Sequence, residues 1–173
     1  MEFAPILKSN LSRKLVDDIA LIVSDDNSVF DEIFELIEHS DEKICWRATW
    51  ACEKIVDLNP ELFTVSHFEK INSLVLNTKH DGQRRILLSI ILKLQRTYSI
   101  PVSVINSCFN WIISDNQPIA VQSLALKLLV AFCQTEPDFK IELLAYLENY
   151  AFQMNSPAMI STRKYALKQL IKR

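Results

Sequence analysis

Apolar residues recur along this chain at intervals of three and four, the spacing that gathers them on one face of an α-helix. Phe30, Ile33, Phe34 and Ile37 mark a short helix, with Glu32, Glu35 and Glu38 turned outward. Ile44, Ala48, Ala51, Cys52 and Ile55 mark the next, bounded by Ser40-Asp41 and Asn59-Pro60. Val65, Phe68, Ile71, Leu74 and Val75 follow. The run Ile86-Leu87-Leu88-Ser89-Ile90-Ile91-Leu92 is apolar nearly all round, which predicts a helix covered on several sides. A fifth helix carries Val104, Ile105, Cys108, Phe109 and Ile112, and a sixth Val121, Leu124, Ala125, Leu128 and Phe132. Between them lies a turn in which Pro118 suits a first helical position. Thr135-Glu136-Pro137-Asp138 breaks the pattern. Ile141, Leu144, Ala145, Leu147 and Ala151 predict a seventh helix. Asn155-Ser156-Pro157 opens an eighth with Ile160, Tyr165, Ala166, Leu167 and Leu170. Ahead of these, Leu11 to Val23 predicts one more amphipathic helix, and residues 3 to 8 a frayed turn. Nothing alternates with period two over a useful length. The expectation is one all-α domain over residues 1–173.

Short turns between helices suit either a bundle or a repeat array, and self-similarity decides between them. Small residues stand at Ala51, Ser89, Ala125 and Ala166, at spacings of 38, 36 and 41 residues. An apolar residue follows each: Cys52, Ile90, Leu126 and Leu167. A basic or polar residue precedes each by three or four places: Arg47, Arg85, Gln122 and Arg163. A small residue at one recurring position lets a neighbouring helix approach closely.

At these positions the chain resembles the HEAT-like repeat family of armadillo-type α-solenoids. The likeness is best in Trp46-Arg47-Ala48-Thr49-Trp50-Ala51-Cys52-Glu53-Lys54-Ile55, with Asn59-Pro60-Glu61-Leu62-Phe63 like the family's inter-repeat turn. The resemblance covers residues 28–173 as about four antiparallel helix pairs, with residues 1–27 as an N-terminal cap. It implies a right-handed stack whose second helices line a concave side.

Composition narrows the chemistry. One glycine occurs in 173 residues, Gly82, against roughly 12 expected from average usage. A phosphate loop, a dinucleotide fingerprint or a nucleophile elbow each needs more. The four cysteines, Cys45, Cys52, Cys108 and Cys133, form no Cys-x-x-Cys pair, and no histidine stands at metal-ligand spacing from them. The expectation is free, buried thiols with no metal and no cofactor. His39, His67 and His80 are scattered, and the paired acids lack the pattern of a calcium loop. No signal peptide and no membrane span is predicted, which points to a cytoplasmic protein.

Charge adds a candidate surface. The formal charge is −2, yet Asp17 to Glu42 holds ten acidic residues and no basic one. The second helices, taken as 41–58, 80–97, 117–137 and 156–173, hold 13 basic and 6 acidic residues. On the repeat reading, Arg47, Arg84, Arg85, Lys93, Lys127 and Arg163 would line one electropositive concave surface. Trp46 and Trp50, four apart, share a helical face beside Arg47 and suit stacking on a base or clamping a peptide. The alternative is that the tryptophans fill core, that the arginines serve helix ends, and that Lys164, Lys168 and Lys172 solubilise an exposed end.

The expected function is a non-catalytic scaffold, since solenoids present extended concave surfaces. Its expected partner is another protein with an acidic segment, and self-association is a further expectation. The alternative is nucleic-acid binding, because HEAT-like repeats also build a family of alkylpurine DNA glycosylases with a basic cleft. Trp46, Trp50, Arg47, Arg84 and Arg85 are the matching kinds of residue, but no one acid here matches that family's catalytic position.

Overall fold

The structure is a computed structural model and describes residues 2–9 and 12–171. Its helices are α1 (Phe3–Ser9), α2 (Arg13–Asp25), α3 (Phe30–Glu35), α4 (Glu42–Leu58), α5 (Val65–Asn77), α6 (Asp81–Leu94), α7 (Val102–Trp111), α8 (Ile119–Thr135), α9 (Phe139–Asn149) and α10 (Pro157–Ile171). Short 3-10 turns cover Asn27–Val29, Leu36–Glu38 and Pro60–Leu62. Among the described residues there is no strand. The chain divides into two compact units, Met1–Ile71 and Asn72–Arg173.

Helix starts follow their capping residues. The first four N–H groups of a helix lack partners within it. Ser12 accepts from Leu15 N–H at 3.0 Å, Asp41 from Lys43 N–H at 3.0 Å, and Ser156 from Met159 N–H at 3.2 Å. His80 Nδ1 accepts from Gln83 N–H at 3.0 Å, so that ring nitrogen is unprotonated. Gly82 lies in the first turn of α6. Among the described residues none has a positive φ, so no left-handed turn asks for it.

In the first unit α4 is central: α1, α2 and α3 all pack on it. Its buried side is Ile44, Ala48, Thr49, Ala51, Cys52, Ile55 and Val56. Thr49 donates its buried hydroxyl to Cys45 C=O at 2.8 Å, which removes the cost of an unpaired polar group. Phe30, Phe34 and Phe63 form an edge-packed cluster against the ring of His67. Lys70 bridges Glu35 and Glu38 at 3.0 Å each. Burial opposes its charge, but its hydrogen bonds to the Glu38 and Glu35 carboxylates outweigh that and hold the ammonium above the ordinary lysine range.

In the second unit α8 is central: α6, α7, α9 and α10 each pack on it. Nine of its residues are buried, from Val121 to Cys133. The nearly all-apolar α6 is covered as its pattern predicts, with Ile86, Leu87, Leu88, Ile90 and Ile91 buried. All four cysteines are free thiols; Cys45 is half-buried and the other three are buried.

Some expectations are corrected. Residues 3–8 are not a frayed turn but helix α1, and Phe3 and Leu7 are fully buried. Leu11 and Lys172 lie outside the described residues, and the helix expected from Leu11 starts at Arg13. Phe30–Ile37 is six residues of α-helix finished by a 3-10 turn. The seventh predicted helix stops at Asn149, short of Ala151. Ile141, Ile160, Tyr165 and Val65, read as core-facing, are exposed.

Candidate functional site

The recurring polar position before each small residue has a definite job. Arg47 Nη1 donates to the carbonyls of Leu7 and Lys8, in the last turn of α1. Arg84 Nη2 donates to the carbonyl of Thr78, just past α5. Gln122 Nε2 donates to the carbonyls of Ser114 at 2.7 Å and Gln117 at 3.1 Å, in the turn after α7. Arg163 Nε donates to the carbonyl of Leu147 at 2.9 Å, in the last turn of α9. Each donor thus serves a helix end or the turn beyond it, where carbonyls lack partners within the helix and the helix dipole favours a cation. In the second repeat Arg84 takes this place, not Arg85. Its Nη1 also meets Asp81 Oδ1 at 3.1 Å and Gln117 Oε1 at 3.3 Å, and the guanidinium lies 5.4 Å from the ring centre of Trp111. Nothing in the sequence reading singled out Trp111.

α1 is held to α4 a second time. Lys8 Nζ lies 3.1 Å from Asp41 Oδ2. The hydrogen bond from Lys8, with the N–H of Lys43, holds the Asp41 carboxyl below the ordinary aspartate range.

Trp46 and Trp50 stack on α4 with ring centres 6.0 Å apart and planes 27° from parallel. Both are half-buried. They form one aromatic surface of the first unit.

Among the described cations of the second unit, Lys79, Lys93, Arg96, Lys127, Lys164 and Lys168 are exposed and Arg85 is half-buried. On α8 the exposed residues Ala120, Lys127 and Gln134 are seven apart, with Ser123, Leu124 and Ala131 half-buried between them. They form one narrow stripe on a helix whose other exposed residues are at its two ends, Ile119 and Thr135. The matching stripe of α6 holds Arg85, Ser89, Leu92 and the exposed Lys93, and that of α10 holds Ser161, Lys164, Tyr165 and Lys168. α8 contacts both α6 and α10, and Ser123 and Thr162 meet across the α8–α10 seam at 3.3 Å. Together α6, α8 and α10 carry seven basic residues and one acidic residue, Asp81. Charge also separates by unit: residues 1–71 contain 15 acidic and 7 basic side chains, net −8, and residues 72–173 contain 6 and 12, net +6.

Among the described residues no three His, Cys, Asp or Glu side chains are grouped to hold a metal ion, and no helix is long and apolar enough to cross a membrane.

The sequence pattern of the HEAT repeat domain matches residues 3–170. No curated protein and no solved structure matches the chain.

Proposed function

The chain belongs to the HEAT repeat family, and we propose that it is a non-catalytic scaffold whose second unit binds an acidic segment of another protein on the face of α6, α8 and α10. One observation carries this reading: a layer of three neighbouring helices with seven basic residues and a single acid, of which Arg85, Lys93, Lys127, Lys164 and Lys168 lie on its outward stripes. Arg84 and Arg163 have their guanidinium groups committed to backbone carbonyls. They position the face; Arg85, Lys93 and Lys127 are the residues that meet the ligand. In the first unit the stacked Trp46–Trp50 pair supplies an amphipathic anchor of the kind that dominates protein interfaces. The partner is recognised by charge, so association is fastest at low ionic strength and weakens as salt shortens the Debye length to about 8 Å at 0.15 M.

The test is fluorescence anisotropy with a labelled Asp/Glu-rich peptide. Arg85→Glu with Lys127→Glu is expected to weaken binding at least about tenfold, or roughly 1.4 kcal/mol. Unchanged binding by that variant would end the reading. Duplex DNA is the comparison probe. If DNA bound more tightly than the peptide, with log affinity falling linearly in log salt, the partner would be nucleic acid and the acidic-segment reading would fail.

A further inference from the structure

A cavity of about 440 Å³ lies within the second unit, between the 95–101 loop that joins α6 to α7 and the turn that joins α8 to α9. That volume falls in the range of small-molecule sites, which run from about 300 to 1,000 Å³. Its apolar side is made by Ile100, Val102, Phe132 and Phe139. Phe132 and Phe139 meet edge to face, with ring centres 5.0 Å apart and planes at 71°. Phe132 and Ile100 are buried, so the core holds this side in place.

Two charged residues line the same cavity, one on each wall: Arg96 on the loop and Glu136 just past α8. Both are exposed. Among the described residues neither side chain has an ion pair or a hydrogen bond, so the two charges do not neutralise each other by contact. α6 and α8 end at the cavity, and α7 and α9 begin there. Dipole ends of both signs therefore meet at it and give no net preference. Charge selection rests on Arg96 and Glu136. A lone anion would meet Glu136 and a lone cation would meet Arg96, each at a cost from like charge. A ligand that suits both carries one anion and one cation, with an apolar group for the phenylalanine side.

We propose that this cavity binds a free α-amino acid with a large apolar side chain. The carboxylate pairs with Arg96, the ammonium pairs with Glu136, and the side chain lies against Phe132 and Phe139. This site is separate from acidic-segment binding. Phe132 stands five residues past Lys127, a rotation of about 140° around α8, so the cavity uses a different side of that helix from the basic stripe.

Proton–nitrogen correlation NMR of the full chain, titrated with L-phenylalanine, tests this. Saturable shifts are expected at the amides of 95–102 and 132–139, with a Kd of about 1 mM or tighter. L-Phenylalanine amide lacks the carboxylate, and N-acetyl-L-phenylalanine lacks the ammonium. Each is expected to bind about tenfold more weakly. Arg96→Gln should bind phenylalanine and its amide alike, and Glu136→Gln should bind phenylalanine and its N-acetyl form alike. Both side chains are exposed, so the rest of each variant's spectrum should match the wild type. Arg85→Glu with Lys127→Glu, at residues that do not line the cavity, is expected to keep full amino-acid binding. No saturation by phenylalanine, leucine or tryptophan well above about 1 mM would overturn the proposal. So would shifts confined to other parts of the chain. Equal binding of N-acetyl-phenylalanine amide would also overturn it, and would make the cavity a seat for a peptide segment.

Discussion

The Nε–H of Arg163 ends on the carbonyl of Leu147, 2.9 Å away, and ties α10 to the last turn of α9. Truncating that arginine leaves a helix-end carbonyl short of its donor. Arg163→Met keeps much of the stem and is expected to lower the unfolding free energy by about 1–2 kcal/mol. Arg85→Met, on the outward stripe, is expected to change it by less than about 0.5 kcal/mol. Urea denaturation of the two variants checks this, and equal losses would refute the difference in role.

Arg84 serves the carbonyl of Thr78, Asp81 and Gln117 while lying against Trp111. Arg84→Leu is expected to cost about 2–3 kcal/mol, the scale of hydrogen bonds to a charged group. In a background with Trp46→Phe and Trp50→Phe, the emission of Trp111 should shift as well. A variant with wild-type stability and emission would show that the arginine is merely displayed.

Helix α1 depends on two fully buried side chains, Phe3 and Leu7. Phe3→Ala is expected to destabilise the chain by about 3–5 kcal/mol. A frayed segment would lose almost nothing in a thermal melt.

Burial pushes the Cys52 thiol up from 9.0 to about 12 and the Cys133 thiol to about 11. Folding thus favours their protonated forms. That stability is fully present below pH 9 and is lost as pH rises toward 11 and 12. Melting midpoints should fall across that range. Iodoacetamide should reach half-buried Cys45 in the native state and the other three thiols only on unfolding. Fast native labelling of Cys52 would contradict its place in the core.

Asp41 titrates in the opposite sense. Its carboxyl, hydrogen-bonded by Lys8 and by the Lys43 N–H, is held below 3.8. The stability this gives is present above 3.8 and is lost as pH falls through the lowered value. Asp41→Asn should flatten the acid side of the stability profile, measured by denaturation at successive pH values. An unchanged acid limb would show that the Lys8–Asp41 contact is not populated in solution.

The main helices were legible because their apolar faces are long and their caps conventional: Asp41 begins α4 and Ser156-Pro157 begins α10. α1 was not, since only two of its side chains, Phe3 and Leu7, are buried and Pro5 looks like a breaker. Proline is tolerated in a first turn, where no intrahelical N–H bond is lost. The outward turn of Ile141 and Ile160 was also unreadable. Periodicity shows which residues share a face but not whether a neighbour covers that face. At the candidate surface, the repeated polar position could be found by spacing. Whether its side chain reaches a carbonyl or the solvent could not. Adjacent Arg84 and Arg85 differ by one residue, a rotation of about 100° around the helix, and only the first turns back toward Thr78.

Since α6, α7, α9 and α10 all rest on α8, the amides on its buried sides, away from the Ala120–Lys127–Gln134 stripe, cannot meet solvent until those neighbours come away. In deuterated buffer the α8 amides should therefore exchange last in the second unit, at a rate set by cooperative opening of that unit. Amides of α9 and α10 should exchange earlier through smaller openings. A peptide from 121–133 that took up deuterium as fast as one from 157–171 would mean that α8 opens without disturbing the helices packed around it.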